Sequence, residues 1–358
     1  MGNVNFFIKE STKLFKPSGL DTLILYVTSR CNAKCNFCFY GDELNRIPEL
    51  NLQQITKISK NLTSLNGLLI GGGEPFLRTD LFDIIQAFSK NCNIDVVQIP
   101  TNGFFTERIV AFVKRITTEL PQLNLSIQVS LDAVGEKHDA VRELKGCFKQ
   151  AEQTVKALKA LRNHDTRLRV LVVSVLTPET IKDCRELVYY IRENIDPDYH
   201  WFEPVRAMPT MIADLKLPDE TMQFLQDNLK YYLTKIKGAS SSLYASSFFN
   251  NLITKYSLNN FNIAYDNFRH KKSWPVTCCA GRKMAVLYPD GVLAACELRS
   301  ENVNIKDYDF NINKALGDEK FEKVRNDTQR HACDCTHGCF IPTSVRYAPG
   351  ELLKLLLP

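Results

Sequence analysis

TLILYVTSRCNAKCNFCFYG, residues 22–41, joins a short apolar, partly β-branched run to a loop that carries three cysteines. The run has the length and composition of a buried strand. The loop after it places Cys31, Cys35 and Cys38 in a C-x3-C-x2-C spacing. Thiolates are soft ligands, and three on one loop can wrap three irons of a cubane while the fourth iron lacks a protein ligand. An open iron beside a pocket is a site for chemistry, whereas complete protein ligation suits electron transfer. Zinc is the other use of clustered cysteines, but structural zinc takes four ligands in two paired knuckles. Arg30 and Lys34 add positive charge beside this loop.

Working outward, short apolar runs alternate with longer amphipathic ones, the pattern of repeated βα units and a parallel sheet. Six strands are predicted, at 22–28, 67–71, 94–100, 123–131, 168–175 and 199–205. Helices are expected at 51–63, 79–90, 105–119, 146–162, 178–194 and 218–237. Six units fall short of a closed eight-stranded barrel, so the expected fold is a partial, TIM-like (β/α)6 barrel of the α/β class with a small cysteine-rich hairpin and helix extension. The expected organisation is an N-terminal extension over 1–20, the barrel over 21–237, a connector over 238–275, the cysteine-rich unit over 276–345 and a tail over 346–358.

Composition narrows the function classes. The 358 residues carry a formal charge of +5 with no basic tract, so charge implies no nucleic acid. No apolar stretch approaches the ~20 residues of a membrane span, and the N-terminus lacks a secretory pattern, so a cytoplasmic location is expected. Twelve cysteines in a reducing compartment point to metal or catalysis before disulfides. Cys92, Cys147 and Cys184 stand alone, as core or surface thiols.

In parallel βα architectures, catalytic groups collect on loops after the strands' carboxyl ends. Here those loops read GGGEPF (71–76), PTNGFF (100–105), VSLDA (129–133) and EPVRAMP (203–209). GGGEP lacks the Lys-Ser/Thr ending of a P-loop and the spacing of a dinucleotide fingerprint. The string CNAKCNFC, with the loops that follow in this order, resembles the signature of the radical S-adenosylmethionine (radical SAM) superfamily over about residues 20–210. The resemblance implies a 4Fe-4S cluster on Cys31, Cys35 and Cys38 whose open iron is chelated by the amino and carboxylate groups of SAM, with Phe37 near the adenine. It implies that Gly72, Gly73 and Glu74 receive the methionine ammonium, that Asn102, Ser130 and Asp132 surround the ribose and methionine, and that Arg142 meets the SAM carboxylate. Glycines permit close backbone approach, and a carboxylate suits an ammonium. Glu203 and Arg206 are expected to face either SAM or substrate.

The C-terminal run CCAGRKMAVLYPDGVLAACE (278–297) resembles the C-x(9 to 15)-G-x4-C opening of SPASM and twitch extensions, with YPDG as its hairpin turn. Downstream, HACDCTHGC (331–339) supplies Cys333, Cys335 and Cys339. The pattern departs from a full SPASM set, so one auxiliary 4Fe-4S cluster is expected on Cys279, Cys296, Cys335 and Cys339, with Cys278 and Cys333 as substitutes and structural zinc as the alternative. His331 and His337 are expected beside the ligands or facing solvent.

The expected activity is reductive cleavage of SAM to a 5'-deoxyadenosyl radical, driven by a reduced flavodoxin or ferredoxin, followed by hydrogen abstraction from a small-molecule, carbohydrate-like or peptide substrate. About 20 residues precede the first strand, too few for a separate leader-binding domain. Alternatives are a peptide- or protein-modifying maturase of the SPASM type and a non-catalytic iron–sulfur electron carrier. A carrier has no use for an amino-acid-receiving glutamate, and an RNA-modifying enzyme would need a basic face.

Overall fold

The computed structural model describes residues 19–62, 64–238, 247–270, 273–331 and 335–356. The N-terminal extension, apart from its last two residues, and Cys333 lie outside the described residues. The chain alternates β1 (Thr22–Thr28), α1 (Leu52–Lys60), β2 (Gly67–Gly72), α2 (Leu81–Cys92), β3 (Val96–Thr101), α3 (Thr106–Glu119) and β4 (Asn124–Ser130). Then follow α4 (Glu136–Arg142), α5 (Cys147–Arg162), β5 (Leu168–Leu176), α6 (Cys184–Tyr190), β6 (Tyr199–Pro204), α7 (Asp219–Gly238) and α8 (Ser247–His270). The last third adds β7 (Met284–Leu287), β8 (Val292–Ala294), β9 (Asn302–Asn304), α9 (Glu319–Gln329), α10 (Phe340–Arg346) and α11 (Pro349–Leu356).

One sheet runs β6-β5-β4-β3-β2-β1-β7-β8-β9. The first six strands are parallel and adjacent in chain order, the mixed α/β architecture of a partial barrel. β1 lies inside the sheet, and every one of its residues is buried, which is why it reads as a continuous apolar run and not an alternating one. β5 alternates between buried and half-buried residues along its whole length. On α2, Leu81, Phe82, Ile84, Ile85 and Phe88 supply the buried stripe.

Three features differ from the sequence reading. The hairpin is no detached appendage: β7 pairs in parallel with β1 and continues the barrel's sheet, with β8 and β9 antiparallel beyond it. The connector contains α8, whose Asn260, Phe261, Ala264, Tyr265 and Asn267 are buried, so its Ser, Asn and aromatic mixture conceals a helical stripe. The single helix expected over 178–194 is split into a 3-10 turn at Thr180–Asp183, α6 and a π turn at Ile191–Ile195. At its start the hydroxyls of Thr177 and Thr180 bond nearby backbone groups, competing with the helical ladder. Among the described residues no helix is long and apolar enough to cross a membrane.

Candidate active site

The cysteine loop leaves the carboxyl end of β1, and that end is held from below. The buried Arg78 guanidinium donates to the carbonyl oxygens of Val27 and Leu50 and pairs with Asp80 at 2.7 Å. Asn45 brackets Cys31, its Oδ1 accepting from the Cys31 amide at 3.1 Å and its Nδ2 donating to the Cys31 carbonyl at 3.3 Å. The far side of the loop hangs on α4, with the Lys34 and Asn36 amides donating to the carbonyls of Arg142 and Val141. Cys31, Cys35 and Cys38 are half-buried. Burial pushes the Cys31 thiol up to about 12 and raises Cys35 and Cys38 as well. A bound cation reverses this, because a coordinating thiol is deprotonated outright.

The glycines of β2 bring its loop against the cysteine loop. A Cβ on Gly73 would collide with the Arg30 carbonyl and press on the Cys31 Cβ, and one on Gly72, at φ +118°, would collide with the Thr28 carbonyl. The next residue, Glu74, is 1% exposed. Its Oε1 accepts from Thr101 Oγ1 (2.8 Å) and the Phe76 amide (3.1 Å), and its Oε2 accepts from the Asn102 amide (2.8 Å). Burial raises this carboxyl to about 7 despite these donors. A carboxylate offers about four lone-pair sites, so one remains for a further donor.

Arg142 and Asp132 form a buried pair, Nε to Oδ2 at 2.8 Å. Asp132 Oδ1 accepts from the Val175 amide, and the Asp132 amide donates to His138 Nδ1. The Asp132 carboxylate is thus engaged by Arg142 and β5, and it orients the arginine. The Arg142 guanidinium carbon stands 5.8 Å from the Phe37 ring centroid, and its charge is felt at Cys35. No protein acceptor takes its terminal nitrogens among the described residues, which leaves the bidentate edge for a carboxylate. Asn102 Nδ2 donates to Asn32 Oδ1 (2.8 Å), and its Oδ1 accepts from the Phe104 amide. Asn32 Nδ2 is buried without a partner. Ser130 ends β4 half-buried. The sequence reading assigned no role to Asn32 or Asn45: the position of Asn32 inside the ligand loop was the available signal, and the left-handed φ of +61° at Asn45 is visible only in the fold.

A second polar group joins the end of β6 to the last third of the chain. Arg206 Nη1 contacts His337 at 2.8 Å and Glu297 at 3.5 Å, and its guanidinium lies over Phe39 of the cysteine loop, 5.1 Å from the centroid. Glu297 accepts from the Tyr26 hydroxyl at 2.5 Å and pairs with His337. Burial works to raise Glu297, yet the charges of His337 and Arg206 and the Tyr26 hydroxyl hold it at about 2. Burial raises Glu203, whose Oε1 accepts from Trp201 Nε1 at 2.8 Å. His337, expected beside ligands or in solvent, is 1% exposed and part of this network.

The C-terminal thiols divide. Cys278 and Cys335 line a small cavity with Trp274, Val276, Thr328 and His331. Cys296 is raised chiefly by burial, with the charges of Cys335 and Cys278 adding to it. Cys279 points elsewhere: its amide donates to Ser344 Oγ (3.0 Å), and its Sγ lies 3.9 Å from the Phe340 carbonyl at the start of α10. Cys339 precedes α10, with Arg206 its strongest charged neighbour. Of the four thiols expected as one ligand set, Cys296 and Cys335 are close enough to influence one another, and Cys279 and Cys339 lie beside the start of α10. Among the described residues no three His, Cys, Asp or Glu side chains converge on a single metal ion.

Residues 25–189 match the radical SAM superfamily. Among curated proteins, a GTP 3',8-cyclase from Aquifex aeolicus is 39% identical over 124 residues, covering 31% of this chain and 38% of that one. The chain thus spans about two fifths of that relative's length. A probable GTP 3',8-cyclase from Methanocaldococcus jannaschii is 23% identical over 290 residues, 79% of this chain and 86% of the other. Among solved structures, Streptococcus suis SuiB superposes with a TM-score of 0.58 at 17% identity, over 89% of this chain and 71% of that one. The histidine-tagged anSMEcpe with bound AdoMet superposes with a TM-score of 0.60 at 15% identity, over 94% and 96%. These likenesses are of fold.

Proposed function

We propose that this chain, whose residues 25–189 match the radical SAM superfamily, is an enzyme of that family that binds a 4Fe-4S cluster on Cys31, Cys35 and Cys38 and SAM beside it. When bound, these groups supply a one-electron reductive cleavage of the SAM sulfonium to methionine and a 5'-deoxyadenosyl radical that takes a hydrogen atom from substrate. The residues present fit both groups. The Gly72–Gly73 approach seats the β2 loop directly on the cysteine loop, Glu74 keeps a lone pair for an ammonium, and Arg142 keeps its bidentate edge for a carboxylate. An ammonium acceptor and a carboxylate clamp on either side of one thiol loop are the recognition elements for an amino acid. That juxtaposition carries the reading and argues against a simple electron carrier.

Asp132 holds Arg142 in place, Asn102 ties Glu74 to the cysteine loop through Asn32, and Phe37 is the proposed neighbour of the adenine. A flavodoxin or ferredoxin is the proposed reductant. The substrate proposed is a polar small molecule or a peptide, oxidised or matured by the radical. A nucleoside triphosphate, the substrate named for the cyclase relatives, is disfavoured by the charges gathered at the β6 end: two carboxylates, Glu203 and Glu297, face the single guanidinium of Arg206, which is already engaged. Anaerobic reconstitution followed by dithionite and SAM tests the reading. 5'-Deoxyadenosine should accumulate with the native chain and not with Cys35→Ala; equal amounts from both would refute it.

A further inference from the structure

Resting on that reading and naming the substrate class it takes, we propose that Glu203, at the carboxyl end of β6, is the specificity-determining residue that receives a cationic nitrogen of the substrate, an ammonium or a guanidinium.

The composition of the sheet singles this residue out. Across the six parallel strands, Arg169 and Glu203 are the only Asp, Glu, Lys or Arg residues. Arg169 is at the amino end of β5, whereas Glu203 is the last residue but one of β6, at the carboxyl end where active-site groups collect. Side chains alternate along a strand, and the half-buried positions of β4, β5 and β6 share one face. Parallel pairing sets Ser130 beside Val173, Val173 beside Trp201 and Val175 beside Glu203. The Val175 amide donates to Asp132 Oδ1, and Asp132 holds Arg142. Glu203 therefore stands one strand away from the groups proposed for the SAM carboxylate.

Its carboxyl is oriented but unmet. Oε1 accepts from Trp201 Nε1 at 2.8 Å, while Oε2 is buried with no hydrogen-bond partner among the described residues. Gly338 closes against the carboxyl with backbone alone, since a Cβ there would collide with both oxygens. The residue as a whole is half-buried, and a carboxyl turns broadly about its last bond, so Oε2 can be presented to a ligand. The nearby cations are spent on Glu297. Arg206 Nη1 lies 2.8 Å from His337 and 3.5 Å from Glu297, its guanidinium rests on Phe39, and His337 pairs with Glu297. A buried carboxylate without a counter-ion carries a desolvation cost that only a partner removes. A substrate ammonium or guanidinium supplies both the missing charge and the missing donor, whereas a phosphate or carboxylate would add like charge beside Glu203 and Glu297. Gln128 and Ser130, half-buried on the same face, offer only uncharged donors and acceptors, so discrimination by charge falls to Glu203.

The test uses the full chain, reconstituted anaerobically with SAM, and measures ligand binding by saturation-transfer NMR. Two pairs of probes differ only in one positive charge: glucosamine against N-acetylglucosamine, and a blocked tripeptide with a central lysine against its Nε-acetylated form. Native protein should bind the amine of at least one pair roughly tenfold more tightly than its acetylated partner, and the pair that shows the preference tells a small amino compound from a peptide side chain. Glu203→Gln should abolish the preference, and Gly338→Ala, which crowds the same carboxyl without changing its charge, should reduce it. Equal binding within both pairs, or a preference that survives these substitutions, would overturn the assignment. Thermal melting guards against a merely structural role: Glu203→Gln removes an unpaired buried charge and should melt no lower than the native chain, whereas a structural partner of Arg206 would melt lower and keep the preference. 5'-Deoxyadenosine formation by the native chain separates the two claims: if it occurs while no preference for the amine appears, only this inference falls.

Discussion

The two groups of thiols in this chain are built in opposite ways. Cys31, Cys35 and Cys38 occupy one eight-residue loop, so covalent spacing brings them together before any long-range contact forms. The C-terminal thiols, Cys278, Cys279, Cys296, Cys335 and Cys339, come from three segments separated by the hairpin and by α9, so only the completed fold could bring any of them together. The first group adjoins the Glu74 carboxyl and the Arg142 guanidinium, whereas Cys278 and Cys335 share a small cavity with Trp274, Thr328 and His331. A local motif declares its chemistry in sequence. A ligand set assembled from distant segments declares only its raw materials.

The sharpest way to break this comparison is to remove one thiol from each group. Cys35→Ala should reduce 5'-deoxyadenosine to the no-enzyme background, whereas Cys296→Ala should leave SAM cleavage and remove only the second cluster; equal losses, measured by chromatography, would erase the distinction. Next in size is Asp132→Ala, which strands the Arg142 guanidinium. Removing one partner of a buried pair costs about 3–5 kcal/mol, visible in denaturant titration of the apo chain, with Arg142 misplaced for SAM. Glu74→Gln replaces an acceptor by a group that must turn a donor toward the Thr101, Asn102 or Phe76 donors. Losing a hydrogen bond to a charged group costs about 1.5–3 kcal/mol, so the SAM Kd should rise roughly ten- to a hundredfold by calorimetry. The change least expected to matter is Arg30→Ala: its pair with Glu49 is half-exposed, and such pairs contribute at most about 1 kcal/mol.

Acidity sharpens the same contrast. Glu74 titrates near 7 in the fold against an ordinary 4.5, chiefly because it is buried. The folded carboxyl therefore binds its proton more tightly than the unfolded one. Its contribution to apo stability is complete below 4.5 and is lost as pH rises through about 7. The ammonium of SAM favours the carboxylate, so SAM affinity should rise across that window while apo melting temperature falls. Parallel trends in both would remove Glu74 from the amino-acid site.

Much of the barrel was legible because its strands are short, apolar and followed by turn chemistry. The six predicted strands begin and end within two residues of the observed ones. The loops holding Glu74 and Asn102 were legible for the same reason, since they lie where parallel strands end. What escaped depends on distance. The pairing of β7 with β1 joins residues more than 250 positions apart, and nothing in YPDG says which strand the hairpin extends. The commitment of Asp132 to Arg142 needed the α4 turn, itself not foreseen. The contacts of Cys279 with Ser344 and Phe340 of α10 distinguish it from Cys278 in a way adjacent letters cannot reveal. His337 was expected beside ligands or in solvent and Glu297 drew no reading, and only the fold joins them to Tyr26 and Arg206.

The most direct measurement is EPR of the reduced Cys296→Ala protein, which should retain only the first cluster, before and after SAM. A 4Fe-4S signal whose g-values shift when SAM is added is expected, and with 15N-labelled SAM a nitrogen coupling from its amino group. A signal indifferent to SAM, or no iron held by Cys31, Cys35 and Cys38, would contradict it.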